Sequence, residues 1–357
     1  MTEFENQPKL PANPSIGLAE SGLLPDWLIR TGIRRLCRQR LIEINSTDCE
    51  SHSTHMNGFV DSMNHSSIAL LPDLANEQHY EVPPEFFTTV LGRHRKYSSC
   101  FWDNSIRSLD DAEERSLQIS CERAGIKDGM KVLDLGCGWG SLSLWIAEKY
   151  PNALVTSVSN SKPQKKFIED TAKTLNLRNI QVITCDMNNF EATEAYDRIV
   201  SIEMFEHMRN YQQLFGKIDS WLKPEGKFFM HIFCHRNSPY EFIDNGPADW
   251  MSRHFFSGGI MPSADLPLRF QRDLKIENQW KWSGKHYENT ANAWLKKTDQ
   301  KKKHIKQIFS EVYGENNADK WIQRWRIFFM ACAELFAYDN GQEWFVSHYL
   351  FKKANQD

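Results

Sequence analysis

No run of apolar residues in this chain approaches the roughly 18 that a membrane-crossing helix needs. No sign of charge dominates either: 43 Lys and Arg stand against 46 Asp and Glu, a formal charge of −3. Nothing global therefore points to nucleic acid or to an acidic partner. The eight cysteines include no CxxC pair and no regular spacing, which excludes a disulfide framework and fits a reducing compartment. The opening "MTEFENQPKLPANPS" is polar and acidic, so it does not read as a signal peptide. No internal repeat of 20–50 residues is visible. These absences predict a soluble, cytoplasmic protein.

Aromatic residues are what the chain has in quantity. Its 12 Trp and 22 Phe need a core, or a flat ligand. At 357 residues it can hold one large domain, or a domain with a sizeable appendage. The segment "LLPDWLIRTGIRRLCRQRLIEI" places Ile29, Ile33, Leu36, Cys37, Leu41 and Ile44 at helical spacing, with Arg30, Arg34, Arg35 and Arg38 outside the stripe. Packing on its own domain is the favoured reading of this basic helix, over lying on anionic lipid. The following "NSTDCESHSTHMNGFVDSMNHSS" is polar and reads as a mobile linker. The expected organisation is an N-terminal extension over 1–75, a core over 76–235, a cap over 236–340 and a last strand over 341–357.

Between Met130 and about Ile232, strands and helices alternate. "KVLDLGCG", "ALVTSVSN", "IQVITCD", "YDRIVSIE" and "KFFMHIF" read as strands, with helical patterns between them. Strict alternation predicts a parallel, doubly wound α/β sheet, whose ligand sits beyond the C-terminal strand edges. Three features fall at that edge. One is the glycine loop "LDLGCGWGSL", with Asp134, Gly136, Gly138 and Gly140; bare main chain there lets a ligand approach a helix N-terminus. Its G-x-G-x-G order is not the dinucleotide pattern, and no Lys-Ser/Thr follows to make a P-loop. The second is Asp186, a carboxylate after the third strand, for which capping the next helical turn is the alternative reading. The third is "SIEMFEHM", which brings Glu203, Glu206 and His207 within five positions. Were a helix to start at Glu203, i, i+3, i+4 spacing would put all three on one face. "HIFCH" holds plausible metal ligands in His231, Cys234 and His235, but no metal is expected.

The loop pattern resembles a class I S-adenosylmethionine-dependent methyltransferase. "HYEVPPEFF", "YSSCFW", "VLDLGCGWGSLSL", "YDRIVSIEMFEHM" and "LKPEGKFFMHI" are similar to the cyclopropane-fatty-acyl-phospholipid synthase family. "SGKH" and the terminal "NGQEWFVSHYLFKK" resemble its coclaurine N-methyltransferase branch. The resemblance implies a Rossmann-like sheet with a helical N-terminal extension and a helical, aromatic substrate cap. It implies S-adenosyl-L-methionine as cofactor. Tyr97 and Ser98 would meet its methionine end with Gly136 and Gly138, and Asp134 belongs to the same loop. Ser159, Asn160 and Gln164 would hold the ribose, where this family uses no acid, and Asp186 and Met187 would hold the adenine.

Within that family the acceptor is a small amine or an acyl lipid. An aliphatic ammonium must lose its proton before it can attack the sulfonium methyl, since its ordinary pKa is near that of lysine, about 10. Glu203 and Glu206 would attract the ammonium and His207 would take the proton. Lipid-cyclopropanating members are expected to carry Gly in place of Glu203 and Cys in place of Ser99, and to hold a bicarbonate base. A carboxylate at 203 would repel that anion, by on the order of a few kcal/mol if both are dry. His231 and Tyr287 nonetheless match the bicarbonate pattern. The expected substrate is a small aromatic-bearing amine, with Trp325 and Phe329 lining a flat pocket; the alternative is lipid modification like that of a cyclopropane-fatty-acyl-phospholipid synthase. A homodimer is compatible with this reading, and membrane contact is not favoured.

Overall fold

A computed structural model describes residues 14–45, 48–70, 82–244, 246 and 249–354. Three helices open the described chain: α1 (Pro14–Glu20), α2 (Asp26–Ile44) and α3 (Cys49–Asn64). After α4 (Pro84–Val90) and α5 (Leu109–Ala124), the expected alternation runs β1 (Lys131–Leu135), α6 (Ser141–Lys149), β2 (Leu154–Ser159), α7 (Lys162–Thr174), β3 (Ile180–Thr184), β4 (Tyr196–Ile202), α8 (Tyr211–Trp221) and β5 (Leu222–His235). A short hairpin of β6 (Tyr240–Glu241) and β7 (Ile260–Met261) encloses α9 (Trp250–His254). Then come β8 (Leu274–Trp282), the cap helices α10 (Gly284–Gln300), α11 (Lys302–Tyr313) and α12 (Glu315–Ala337), and β9 (Trp344–Lys353).

Seven strands form one sheet in the order β3-β2-β1-β4-β5-β9-β8. β1 to β5 run parallel; β9 returns antiparallel between β5 and β8, as the C-terminal pattern predicts. The order reverses between β1 and β4, which puts the ligand crevice beside the glycine loop and the residues after β4.

Two parts differ from the sequence reading. The supposed mobile linker is a helix over Cys49–Asn64, capped by the Asp48 side chain, which accepts from the Ser51 N–H. Its sparse apolar residues, Met56, Phe59 and Met63, lie at helical spacing and are buried in one core with Tyr211 and Leu214. β8 was not foreseen. Its sequence, LKIENQWKW, is mostly polar because it forms the sheet's outer edge, where only its two ends are buried.

The basic helix packs on its own domain. Arg30 and Arg34 both reach Glu334 of α12, at 2.8 and 2.7 Å, while Ile29, Cys37 and Ile44 are buried. The aromatic excess fills the cap: Trp325 is fully buried within 6 Å of the Phe86, Phe87, Phe255, Phe328 and Phe329 ring centres.

Candidate active site

The glycine loop leaves β1 with three residues in the left-handed region, Gly136 at φ +76°, Gly138 at φ +54° and Gly140 at φ +77°; the first two bear on the cleft. They serve different ends. A Cβ on Gly136 would meet Met204 carbons at 2.7 and 2.8 Å, so this glycine lets the loop close against the turn after β4. A Cβ on Gly138 would have no atom within 4 Å and would project into open cleft. That cleft is walled by Gly136, Gly138, Ser159, Asn160, Gln164, Asp186, Met187, Glu203 and His207, all expected from sequence.

Three expected cofactor residues do not line it. Asp134 is buried behind the loop, where Ser143 Oγ donates to its Oδ2 at 2.5 Å and burial pushes its carboxyl up to about 6. Ser98 accepts from Lys96 Nζ at 2.6 Å, and Tyr97 packs against Phe87 and Trp294. Ser257 and Gly258, after α9, do line the cleft, as does Ala69, and none was foreseen. Ala69 is held by Asn188, which exchanges two hydrogen bonds with its backbone. Only long-range pairing identifies such residues.

Ser159 Oγ donates to Gln164 Oε1 at 2.6 Å, which leaves the buried Gln164 Nε2 as a donor with no partner among the described residues. Asp186 Oδ1 accepts from Asn188 N–H at 2.8 Å, so it does make the turn bond that was its alternative reading, while still facing the cleft. An open cradle at Gly138 and an unpaired buried donor beside it fit an extended polar cofactor such as S-adenosylmethionine.

The acidic cluster is arranged differently from its helical expectation. Glu203 sits at φ +47°, a left-handed conformation that costs a non-glycine residue on the order of 1–3 kcal/mol. Only Phe205–His207 form a single 3-10 turn, so the three side chains do not share a helix face. The strained turn aims Glu203 into a set of donors. Its Oε1 accepts from Ser99 N–H at 2.9 Å and from His231 Nε2 at 3.1 Å; its Oε2 accepts from Tyr287 Oη at 2.8 Å. Burial raises the Glu203 carboxyl, while the buried Lys96 ammonium and these donors oppose the rise.

Glu206 points away from the cleft. It is fully buried, accepts from Phe233 N–H at 2.7 Å, and is pushed well above the usual carboxylate range by burial and by Glu203. His207 faces the cleft with its ring centre 4.5 Å from that of Phe256, and burial lowers its imidazole to about 4. It is a neutral base at pH 7. Trp325 and Phe329 lie deeper, with Phe329 against Trp294 and Trp294 against Tyr97 and Tyr287. Among the described residues no His, Cys, Asp and Glu cluster could hold a metal.

Residues 72–344 match the family model described as mycolic acid cyclopropane synthetase. The chain is 39% identical to (S)-coclaurine N-methyltransferase of Thalictrum flavum subsp. glaucum over 338 residues, 94% of each protein. It is 27% identical to cyclopropane-fatty-acyl-phospholipid synthase of Escherichia coli, over 76% of this chain and 67% of that one. A crystal structure of coclaurine N-methyltransferase bound to N-methylheliamine and SAH superposes with a TM-score of 0.92 at 39% identity, covering 95% of this chain and 99% of that one. With its glycine cradle and strand-edge cleft, the chain belongs to the mycolic acid cyclopropane synthetase family and is an S-adenosylmethionine-dependent methyltransferase.

Proposed function

We propose that the protein methylates the nitrogen of a small amine that carries an aromatic ring. One observation carries this reading: His231 and Tyr287, the two residues that resemble a bicarbonate site, hold the carboxylate of Glu203 instead. The chain thus supplies its own fixed anion where a lipid-modifying relative would recruit one. A second anion beside it would be repelled, and an ammonium is attracted.

In the transfer, the acceptor nitrogen's lone pair forms the new N–C bond as the sulfonium S–C bond breaks. The bound cofactor supplies only the activated methyl group. Glu203 draws the ammonium form of the amine to the cleft and stabilises the positive charge that develops on nitrogen. His207, neutral at pH 7 and facing the same cleft, takes the proton that the amine must lose. Glu206 holds the turn that carries His207 through its bond to Phe233. Tyr287, Trp294 and Tyr97 pack in series behind Glu203, with Tyr287 stacked on Phe336 at 4.2 Å, and none of the three lines the cleft. Phe329 packs on Trp294, with Trp325 behind it, and neither lines the cleft. Relatives named for N-methylation of coclaurine and of pavine agree with this acceptor class. Among the described residues no helix is long and apolar enough to cross a membrane.

The test is incubation with S-adenosylmethionine and a panel of tetrahydroisoquinoline-like and phenethylamine-like amines, read by mass spectrometry. Fatty-acid analysis of cells expressing the protein is the second arm. N-methylated products with unchanged lipids support the reading; cyclopropane or methyl-branched chains with no amine product overturn it.

A further inference from the structure

Lys96 is a buried charge that the methyl transfer itself does not use. It is 2% exposed and lies in the loop between α4 and α5. The turn before it is strained: Arg95 takes φ +52°, a left-handed conformation uncommon outside glycine. Glu113 of α5, fully buried, shapes that turn by accepting from the N–H groups of Gly92, His94 and Lys96 at 2.8, 2.7 and 3.1 Å. Strain of this kind persists only where the surrounding structure fixes it, and Glu203 shows it too.

The two strained turns meet at one short stretch. Lys96 Nζ donates to Ser98 Oγ and to the Ser99 carbonyl, each at 2.6 Å. The Ser99 N–H in turn donates to Glu203 Oε1 at 2.9 Å. Ammonium and carboxylate are thus joined through Ser99, and each link is a hydrogen bond present in the structure. They also act on each other as charges. Burial raises the Glu203 carboxyl, and the Lys96 ammonium is the strongest influence against that rise. Burial lowers the Lys96 ammonium, and Glu203 and Glu113 are the carboxylates that oppose the fall. The nearby Cys100 thiol is pushed far up by burial, so it is neutral at pH 7. Glu113 is itself pushed up to about 7 by burial, so at neutral pH it is only partly ionised. An ammonium in a dry site needs an anion near it, or it gives up its proton.

We propose that Lys96 is a positioning residue: its ammonium is the buried counter-charge of Glu203, and its bonds to Ser98 and Ser99 hold the stretch that aims that carboxylate. The effect on turnover rests on the amine reading above; the pairing of the two charges does not. The other titratable groups facing the pair are Glu206 and His207 from the Glu203 turn, His231 of β5, Tyr287 of α10, Cys332 of α12 and His348 of β9.

Lys96→Met keeps the length of the side chain and removes the charge and its donors. Without the ammonium, Glu203 holds its proton to higher pH. The acid limb of the pH–rate profile should therefore move up by about one pH unit, the low end for loss of an opposite charge close by. At a fixed pH on that limb, this is about a tenfold loss of kcat/KM for the amine. The loss must depend on Glu203. In a Glu203→Gln background, adding Lys96→Met should change kcat/KM by no more than about twofold. A lysine needed only for packing would cost the same in both backgrounds, and equal losses overturn the proposal. Carbon-13 NMR of lysine-labelled protein reads the pairing directly. The Lys96 ammonium should lose its proton at lower pH in Glu203→Gln than in the wild type. That titration needs no Lys96 variant and no acceptor, so it decides the pairing even if no amine is methylated, an outcome that would sink only the amine reading. A Lys96 titration left in place by Glu203→Gln overturns the proposal.

Discussion

The two halves of the cleft are built on different principles. In the proposed reading the cofactor half is made of backbone and small polar groups: a cradle at Gly138, an amide on Gln164, a turn at Asp186. The half proposed for the acceptor is made of buried charge. Glu203 sits in a strained turn and, among the described residues, is satisfied by groups at Ser99, His231 and Tyr287, none of them from its own turn. Local geometry suffices to bind a cofactor that many enzymes share, whereas fixing a dry carboxylate needs the whole fold around it.

If that division is right, the halves must fail separately. Glu203→Gln keeps the shape but removes the charge, and it also turns an amide donor toward groups that are themselves donors. The expected outcome is a loss of about 10²–10³ in kcat/KM for the amine, the size found when a preorganised electrostatic partner is removed. Affinity for S-adenosylhomocysteine by calorimetry should be unchanged. A parallel loss of cofactor binding would erase the distinction between the halves.

His207→Ala should cost about 10²-fold in turnover, as for a general base, again with cofactor affinity intact. Its pH behaviour sharpens the comparison further. With the imidazole lowered to about 4 by burial, His207 is already unprotonated across the neutral range. Any activity limb near or above neutrality should therefore move with the basicity of the amine supplied. A limb fixed at one pH for amines of different basicity would assign it to the protein instead.

On the cofactor side, Gly138→Val should weaken S-adenosylhomocysteine binding by at least about tenfold. A β-branched side chain would have to occupy φ +54° and fill the cradle. kcat at saturating cofactor should change less than the affinity does. Unchanged binding would move the cofactor off this loop.

These halves were not equally legible in the sequence. The strands, the glycine loop and the residues after β2 and β3 are short-range signals, written within a few positions of one another. The residues of the acidic cluster were legible as types, but their roles were not. Helical spacing put Glu206 beside His207, whereas the turn at Glu203 rotates Glu206 into the core and leaves Glu203 and His207 on the cleft. Lys96 was invisible because nothing local distinguishes a fully buried lysine in "HRKYSSC" from a surface one. α3 was missed because a helix with few apolar residues resembles a linker until its docking surface is known. β8 was missed because an edge strand need not alternate.

The smallest expected effect tests the fold that carries both halves. Glu20, at the end of α1, accepts from Trp250 Nε1 and Arg324 Nε, each at 2.9 Å, and pairs with Lys320 at 3.1 Å. It thereby ties the N-terminal helix to α9, which precedes the cleft residues Ser257 and Gly258, and to α12 of the cap. Burial opposes its charge, but the hydrogen bonds and the Arg324 guanidinium outweigh that and lower the Glu20 carboxyl to about 2. A carboxylate more acidic in the folded state stabilises it above the unfolded pKa, and that contribution fades as pH falls through about 4.5 towards about 2. Glu20→Gln should therefore lower the melting temperature at pH 7 by a few degrees, corresponding to on the order of 1–3 kcal/mol. The difference from wild type should shrink steadily in scanning calorimetry below about pH 4.5. Cofactor affinity should stay the same, because no atom of Glu20 lines the cleft. A gap in melting temperature that persists unchanged into acid would show that Glu20 acts through packing, with its ion pairs contributing little.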